Sequence, residues 1–291
     1  MERIGETREA FLDSGRENVD RLRATLRRNG MGLVPGWEAL ELGCGLGRST
    51  RWLAPLFRKV TAVDVSASHL RLAAQLNADA LHAERIDWVR LRDTRDLDAL
   101  PEFDLFFSMI VLQHNPPPLI ALMLEKIAAK LRPGGVAFFQ VPTYQRDYSF
   151  DIETYLKLRA ETQGIEMHAI PQAEVFRIFR DNGCIPLEVF EDGLSGHRNN
   201  HRSNSFLFRK TDAADDPARA LAHADAYARS LQGEIARMHA DAGREHAAAQ
   251  QALADAARHA AALEAEREHL KQRLALLEAS THSKQDGRHD R

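Results

Sequence analysis

The chain has 291 residues, 44% of them hydrophobic and 28% charged, with 39 basic against 42 acidic side chains and a formal charge of -3. That apolar content fills a globular core, which excludes disorder throughout, and the near-neutral balance does not indicate a strongly basic nucleic-acid binder. Two distant cysteines, Cys44 and Cys184, exclude a disulfide framework and a cysteine-based zinc site.

The longest nearly apolar run, Leu105 to Leu112, is too short to span a bilayer, and MERIGETREAF has no apolar signal core. The expected setting is cytoplasmic. Residues 1–34 read as a cap built on a charged amphipathic helix over 6–29, with Phe11, Leu12, Val19, Leu22 and Leu26 on one side. Strand and helix signals then alternate. Glu38–Leu42 is a strand and Ser49–Phe57 a helix that Pro55 ends or bends. Val60–Val65 is a strand, and Ser66 caps a helix through about Ala80. Trp88–Leu91 and Asp104–Ile110 are strands, and Leu119–Leu131 is a helix closed by the turn Arg132-Pro133-Gly134-Gly135. Val136–Val141 is a fifth strand. This alternation predicts an α/β fold, a parallel sheet covered by helices, in a domain over 35–211.

The rhythm breaks over 142–169, which reads as a lid inserted over the C-terminal edge of the sheet, where open α/β folds bind ligands. It resumes with a helix near Gln172–Asn182 and strands near Pro186–Glu191 and Asn204–Arg209, an expected antiparallel pair. Their connection, which includes His197-Arg198-Asn199-Asn200-His201-Arg202, is either a grip for phosphate or sugar or a solvated turn.

Residues 212–279 change character: 24 of the residues from 213 to 279 are alanine. Apolar residues recur every seven positions at Ala228, Ile235, Ala242, Ala249, Ala256, Leu263, Leu270 and Leu277. A second seam runs through Ala224, Leu231 and Met238, breaks at Glu245, and resumes one place later at Leu253, Ala260 and Leu274. The pattern predicts a helix of about 60 residues, roughly 90 Å long, in a coiled coil with a register shift. It is a candidate surface for a homo-oligomer or a partner protein. Residues 280–291 read as a disordered tail.

Chemistry concentrates in Glu41-Leu42-Gly43-Cys44-Gly45-Leu46-Gly47-Arg48-Ser49-Thr50, between a strand and a helix. Glycine alone turns this tightly while letting the backbone touch a ligand. Arg48 stands where the dinucleotide fingerprint needs glycine, and no Gly-Lys-Ser/Thr follows for a P-loop. Asp64 ends the next strand, where a carboxylate can accept both hydroxyls of a ribose.

These residues resemble the class I S-adenosylmethionine-dependent methyltransferases. The resemblance covers about residues 35–210, and its feel is closest to bacterial small-molecule and cell-surface glycan enzymes. Glu41, Gly43, Gly45 and Gly47 resemble the first motif, Asp64 the second-strand acid, and Asp93 the third-strand acid. Phe103-Asp104-Leu105-Phe106-Phe107-Ser108 resembles the fourth-strand motif, and Leu131-Arg132-Pro133-Gly134-Gly135 the turn before strand five. The resemblance implies a Rossmann-like seven-stranded sheet, mostly parallel, with an antiparallel final hairpin. It implies S-adenosylmethionine as cofactor and S-adenosylhomocysteine as product. Glu41 would order the loop and the methionine ammonium end, Gly43 and Gly45 would lie along the cofactor, and Asp64 would hold the ribose. Asp93 and Thr94 would border the adenine, with Asp96 as a competing choice.

An alcohol acceptor benefits from a general base. His114, in Gln113-His114-Asn115 after the fourth strand, is the first candidate and His168 the second; each also reads as a structural histidine. Gln113, Tyr144 and Tyr148 are candidates to line the acceptor site. No carboxylate and histidine spacing argues for a metal. No Asn-Pro-Pro-Tyr or Asp-Pro-Pro-Tyr follows strand four, which disfavours amino-nitrogen targets. The expected activity is O-methylation of a glycan or other hydroxyl-bearing small molecule, with cell-surface polysaccharide biosynthesis as one setting. The alternatives are a non-catalytic cofactor-binding scaffold organised by the coiled coil, and an aminopropyl-transfer enzyme.

Overall fold

A computed structural model describes residues 2–158, 166–194 and 201–212, and in the C-terminal stretch 243, 246–264, 267, 268 and 271. By internal contacts the chain divides into Met1–Gln232 and Gly233–Arg291. In the second unit residues 246–264 are helical with every side chain exposed. Of the seven-residue seams, Ala249, Leu253, Ala256, Ala260 and Leu263 fall in this helix; the other seam residues lie outside the described residues.

In the first unit the sheet order is β3-β2-β1-β4-β5-β7-β6. The strands are β1 (Glu38–Leu42), β2 (Lys59–Asp64), β3 (Ile86–Arg90), β4 (Phe103–Ser108), β5 (Leu131–Gln145), β6 (Cys184–Glu191) and β7 (His201–Lys210). The pairs β1·β2, β1·β4, β2·β3 and β4·β5 are parallel, whereas β7 runs antiparallel to β5 and β6. This is the seven-stranded α/β sheet with a reversed last hairpin that the sequence predicts. The helices are α1 (Glu2–Arg28), α2 (Thr50–Leu53), α3 (Ala67–Leu76), α4 (Pro117–Lys130), α5 (Ile152–Leu158) and α6 (Gln172–Asp181). Among the described residues no helix is long and apolar enough to cross a membrane.

Strand alternation sends side chains to opposite faces, and both faces are apolar. Phe106, Phe139, Phe206 and Phe208 gather with Leu124, Ile127, Ile178 and Phe179 from α4 and α6. Phe179 stacks on Phe208 with ring centroids 4.2 Å apart. On the other face Leu105, Phe107, Phe138 and Leu207 meet Val19, Leu22 and Leu26 of α1. A sheet buried on both faces aims its strand ends at one edge, and there the loops gather.

Several expected boundaries shift. The helix over Ser49–Phe57 contracts to α2 because Ala54 already caps it and Pro55 has no N–H to continue the ladder. The third strand starts two residues early, at Ile86. The turn at Arg132–Gly135 is absorbed into β5, which pairs from Leu131 and carries a register shift opposite Asp104. Gly135 fits because a Cβ there would stand 2.7 Å from the Asp104 carbonyl. β5 also runs on to Gln145, so the lid leaves the sheet four residues later than expected. The last two strands are longer than predicted, and His201 and Arg202 belong to β7, opposite Gln145 and Tyr144, not to a free loop. Residues 197–200 of that connection lie outside the described residues. Phe11, expected on the packed side of α1, is 39% exposed, while Leu12, Val19, Leu22 and Leu26 are buried.

Candidate functional site

The loop after β1 is held by its own backbone. The N–H groups of Gly43 and Cys44 both donate to the Val63 carbonyl, at 2.7 and 3.0 Å, and Gly47 N–H donates to Cys44 O at 2.8 Å. Gly43, Gly45 and Gly47 have φ of +72°, +54° and +77°, the left-handed region that disfavours side chains. Their surroundings differ. A Cβ on Gly43 would stand 2.3 Å from the Val111 side chain, and one on Gly47 would stand 2.6 Å from both Asn77 and the Trp88 ring. A Cβ on Gly45 would meet nothing within 4 Å. Two glycines therefore serve packing, and the middle one leaves its backbone open to an incoming group.

Asp64, at the end of β2, reaches this open residue: Oδ2 accepts Gly45 N–H at 2.9 Å, and Oδ1 accepts Ser66 N–H at 2.8 Å. Each carboxylate oxygen keeps a further lone pair for a hydroxyl donor. Glu41 is buried, and its Oε2 accepts the Thr50 hydroxyl at 2.5 Å. Burial pushes its carboxyl up to about 7 against the pull of Thr50 and Arg48. Burial also raises the Cys44 thiol, with Glu41 and Asp64 adding to the shift, so this cysteine is no nucleophile.

Helix α1 lies against the loop. A Cβ on Gly15 would stand 2.0 Å from the Arg48 carbonyl oxygen. Arg48 donates to Ser14 Oγ and to the Asn18 amide oxygen, the Asn18 side chain meets Ser49 Oγ, and Trp52 Nε1 donates to Leu12 O. Gly15 went unnoticed in the sequence; a lone glycine at the middle of a helical pattern is its only signal.

Asp93 caps the short 3-10 turn Thr94–Ala99 by accepting Arg95 N–H at 2.8 Å. Arg95 pairs with its carboxylate and holds it down near about 2. The competing Asp96 accepts Arg92 N–H at 2.7 Å instead.

Beyond β4 the backbone is strained. Ile110, a β-branched residue, sits at φ +62°, an outlier for its type. Its N–H donates to Gln140 Oε1 at 2.9 Å, and Gln140 Nε2 donates to Ser203 Oγ at 2.5 Å. Both Gln140 and Ser203 are buried, and neither stood out in the sequence.

The lid closes on this bend. His168 N–H donates to Gln113 O at 2.8 Å, and His114 Nδ1 lies 2.9 Å from Glu166 O. A carbonyl only accepts, so the His114 proton is on Nδ1 and the lone pair on Nε2. His114 is exposed. His168 is the reverse: its side chain is 10% exposed and both nitrogens are engaged. Nε2 meets the Glu166 carboxylate at 3.0 Å and Nδ1 the Tyr148 hydroxyl at 2.8 Å. Tyr155 also donates to Glu166, at 3.0 Å. Burial pushes the Tyr148 phenol up to about 12, so it stays a donor. Gln113 is buried, and among the described residues its Oε1 has no hydrogen-bond partner. The structure thus brings Gln113, His114, Tyr148 and His168 together. Tyr144 stands apart, 54% exposed on β5 opposite Arg202. Glu166, missed in the sequence, is signalled only by its i, i+2 spacing from His168 on an extended segment.

Residues 39–135 match a family model described as a methyltransferase domain. The chain is 35% identical over 103 residues to a ubiquinone biosynthesis O-methyltransferase of Nitrobacter winogradskyi, covering 35% of this chain and 38% of that one. It is 34% identical over 127 residues to a trans-aconitate 2-methyltransferase of Azoarcus sp., covering 43% and 44%. These alignments span about two fifths of the curated relatives' length. In fold the chain is similar to magnesium protoporphyrin IX methyltransferase of Synechocystis PCC 6803, solved with S-adenosylhomocysteine bound. That likeness has a TM-score of 0.51 at 18% identity and covers 69% of this chain and 86% of that one.

Proposed function

We propose that this protein, which carries a class I S-adenosylmethionine-dependent methyltransferase domain, moves a methyl group from that cofactor to a hydroxyl of a small molecule. The observation that carries the reading is the glycine loop. Gly45 has open space above it, its N–H is tied to the Asp64 carboxylate, and the buried Glu41 carboxyl lies beneath. These residues fit the cofactor: open backbone for its chain, a carboxylate for its ribose, and a buried acid whose charge an ammonium would stabilise. Bound there, S-adenosylmethionine supplies an electrophilic methyl group on a sulfonium.

What the protein adds is position and a proton acceptor. Gly43, Gly45 and Gly47 shape the cofactor bed, Asp64 orients the ribose, and Asp93 and Thr94 border the adenine. In this reading His114 is the base: Nδ1–H on the Glu166 carbonyl fixes its tautomer and aims the Nε2 lone pair outward. His168, locked between Tyr148 and Glu166, is a positioning residue that ties the lid to Gln113. Tyr148 and the Gln113 side-chain amide, whose Oε1 has no partner among the described residues, border the acceptor, and Tyr144 marks the outer rim. A hydroxyl target agrees with the Nitrobacter relative's being named an O-methyltransferase. A glycan remains the acceptor that the sequence reading suggests.

The test is transfer of labelled methyl to a panel of phenols, oligosaccharides, lipids and peptides, beside calorimetric titration with S-adenosylhomocysteine. Label on a hydroxyl is the expected outcome, and among hydroxyls the oligosaccharide arm decides the glycan. Label only on peptide or amine nitrogen, or no binding of S-adenosylhomocysteine, overturns the reading. His114→Ala should lower kcat by about a hundredfold or more for an alcohol, and less for an acidic phenol.

A further inference from the structure

Helix α1 carries a row of arginines, and most have acidic partners. Arg16 and Arg23 pair with Asp20, and Arg28 pairs with Glu188 at 2.6 Å. Arg21 does not. Among the described residues its guanidinium makes no hydrogen bond and no ion pair, although Nη1 is buried. A buried guanidinium nitrogen without an acceptor is costly, so native proteins rarely leave one unless a partner arrives.

Its place is defined by its neighbours. One turn before it, Asn18 meets Ser49 at the glycine loop. Thr25, one turn after it, and Arg28 and Asn29, two turns after it, lead to Glu188 on β6. Arg21 therefore lies on α1 between the residues that meet the glycine loop and those that meet β6. The charged group that reaches it is Asp192, just beyond β6, which the buried Ser205 bonds. Asp192 is within electrostatic reach of Arg21 but is already bound, to Leu194 N–H at 2.9 Å and Ser205 Oγ at 2.7 Å. It balances charge from a distance and leaves Nη1 without an acceptor.

We propose that Arg21 is a specificity residue that receives a carboxylate carried by the hydroxyl-bearing acceptor. A singly charged carboxylate matches one guanidinium, and its oxygens can take two parallel N–H bonds. The proposal rests on the methyltransferase reading and names the acceptor class for the same site.

The experiment is calorimetric titration of the full chain saturated with S-adenosylhomocysteine. Two matched pairs of probes are used: meta-hydroxybenzoate against meta-hydroxybenzyl alcohol, and glycolate against ethylene glycol. The wild-type complex should bind at least one anion about tenfold tighter than its neutral counterpart. Arg21→Lys should keep part of that preference and Arg21→Gln should abolish it. In Arg21→Gln the affinity for S-adenosylhomocysteine and the thermal midpoint should hold, which a merely structural arginine would not allow. Equal affinity within both pairs, no binding of either anion, or a preference that survives Arg21→Gln would overturn the proposal. If the wild type does not bind S-adenosylhomocysteine, the methyltransferase reading falls with it. If it binds and no anion is preferred, only the role of Arg21 falls.

Discussion

Glu41 lies near the end of β1 inside the protein with one hydroxyl for a partner, and its ionisation costs the folded state free energy. Its ordinary value is 4.5 and the folded value is about 7. Below about pH 4.5 the carboxyl is protonated in both states and costs nothing. Between these values the unfolded chain ionises first, so stability falls as pH rises, by up to about 3 kcal/mol above pH 7. Glu41→Gln removes the charge and keeps an acceptor for Thr50. The variant should match the wild type near about pH 4 and unfold later than it near about pH 8 by chemical denaturation. The cofactor product should respond in the opposite sense. Its amine favours the ionised acid, so wild-type affinity should rise from about pH 6 to about pH 8 and the Gln variant should lose that slope. A stability difference independent of pH would refute this account of Glu41.

The three loop glycines separate packing from binding at the same scale. Gly47→Ala drives a methyl into Trp88 and Asn77 and should cost about 2–4 kcal/mol, with cofactor binding lost only as the fold is lost. Gly45→Val adds strain, but its Cβ enters open space, so it should fold with a smaller loss, about 1–2 kcal/mol. Its expected signature is loss of S-adenosylhomocysteine binding by calorimetry while the circular dichroism spectrum persists. The spacing of these glycines and of Asp64 was legible because local geometry demands glycine there. Which glycine packs and which stays open was not, since Val111, Trp88 and Asn77 arrive from distant segments.

Between elements, α1 presses on the cofactor loop through Gly15. In a free helix Gly→Ala is favourable by about 1 kcal/mol. Here the added methyl would stand 2.0 Å from the Arg48 carbonyl, so α1 must lift from the loop. Gly15→Ala should therefore lower stability by about 1–3 kcal/mol and weaken S-adenosylhomocysteine binding several-fold. A rise in thermal midpoint would show that helix and loop do not touch. The sequence marked α1 as amphipathic, and its buried side follows the 3.6-residue period at Leu12, Val19, Leu22 and Leu26. Its contact with the loop depends on a long-range approach that periodicity does not encode. The lid repeats the lesson. Its position after strand five was legible from the broken rhythm, although β5 runs four residues further on antiparallel pairing with β7. The distinction between His114 and His168 came only from the partners that the lid brings.

For the whole molecule, the alternating pattern predicted the sheet because a strand buried on both faces must be continuously apolar, and the run of five such strands has few solutions. The same reasoning does not reach the C-terminal stretch, where alanine fixes helix propensity but says little about what the helix meets. The sheet domain is tied down as far as Asp212. Arg209 donates to Asp212 at 2.7 Å, and Thr211 donates to the Gly183 carbonyl through both N–H and hydroxyl. A chain ending at 212 keeps all of these contacts. It should fold, and it should bind S-adenosylhomocysteine within about twofold of the full chain. Beyond it, Leu253 is 75% and Leu263 53% exposed on the helix over 246–264, and they share their seams with Ala249, Ala256 and Ala260. Apolar seams of that period are covered when helices associate, and we expect the full chain to be an oligomer. Light scattering should give a mass of two or more chains for the full protein and of one chain for the protein ending at 212. One chain in both cases would remove the coiled coil from this account and leave the reading of the sheet domain untouched.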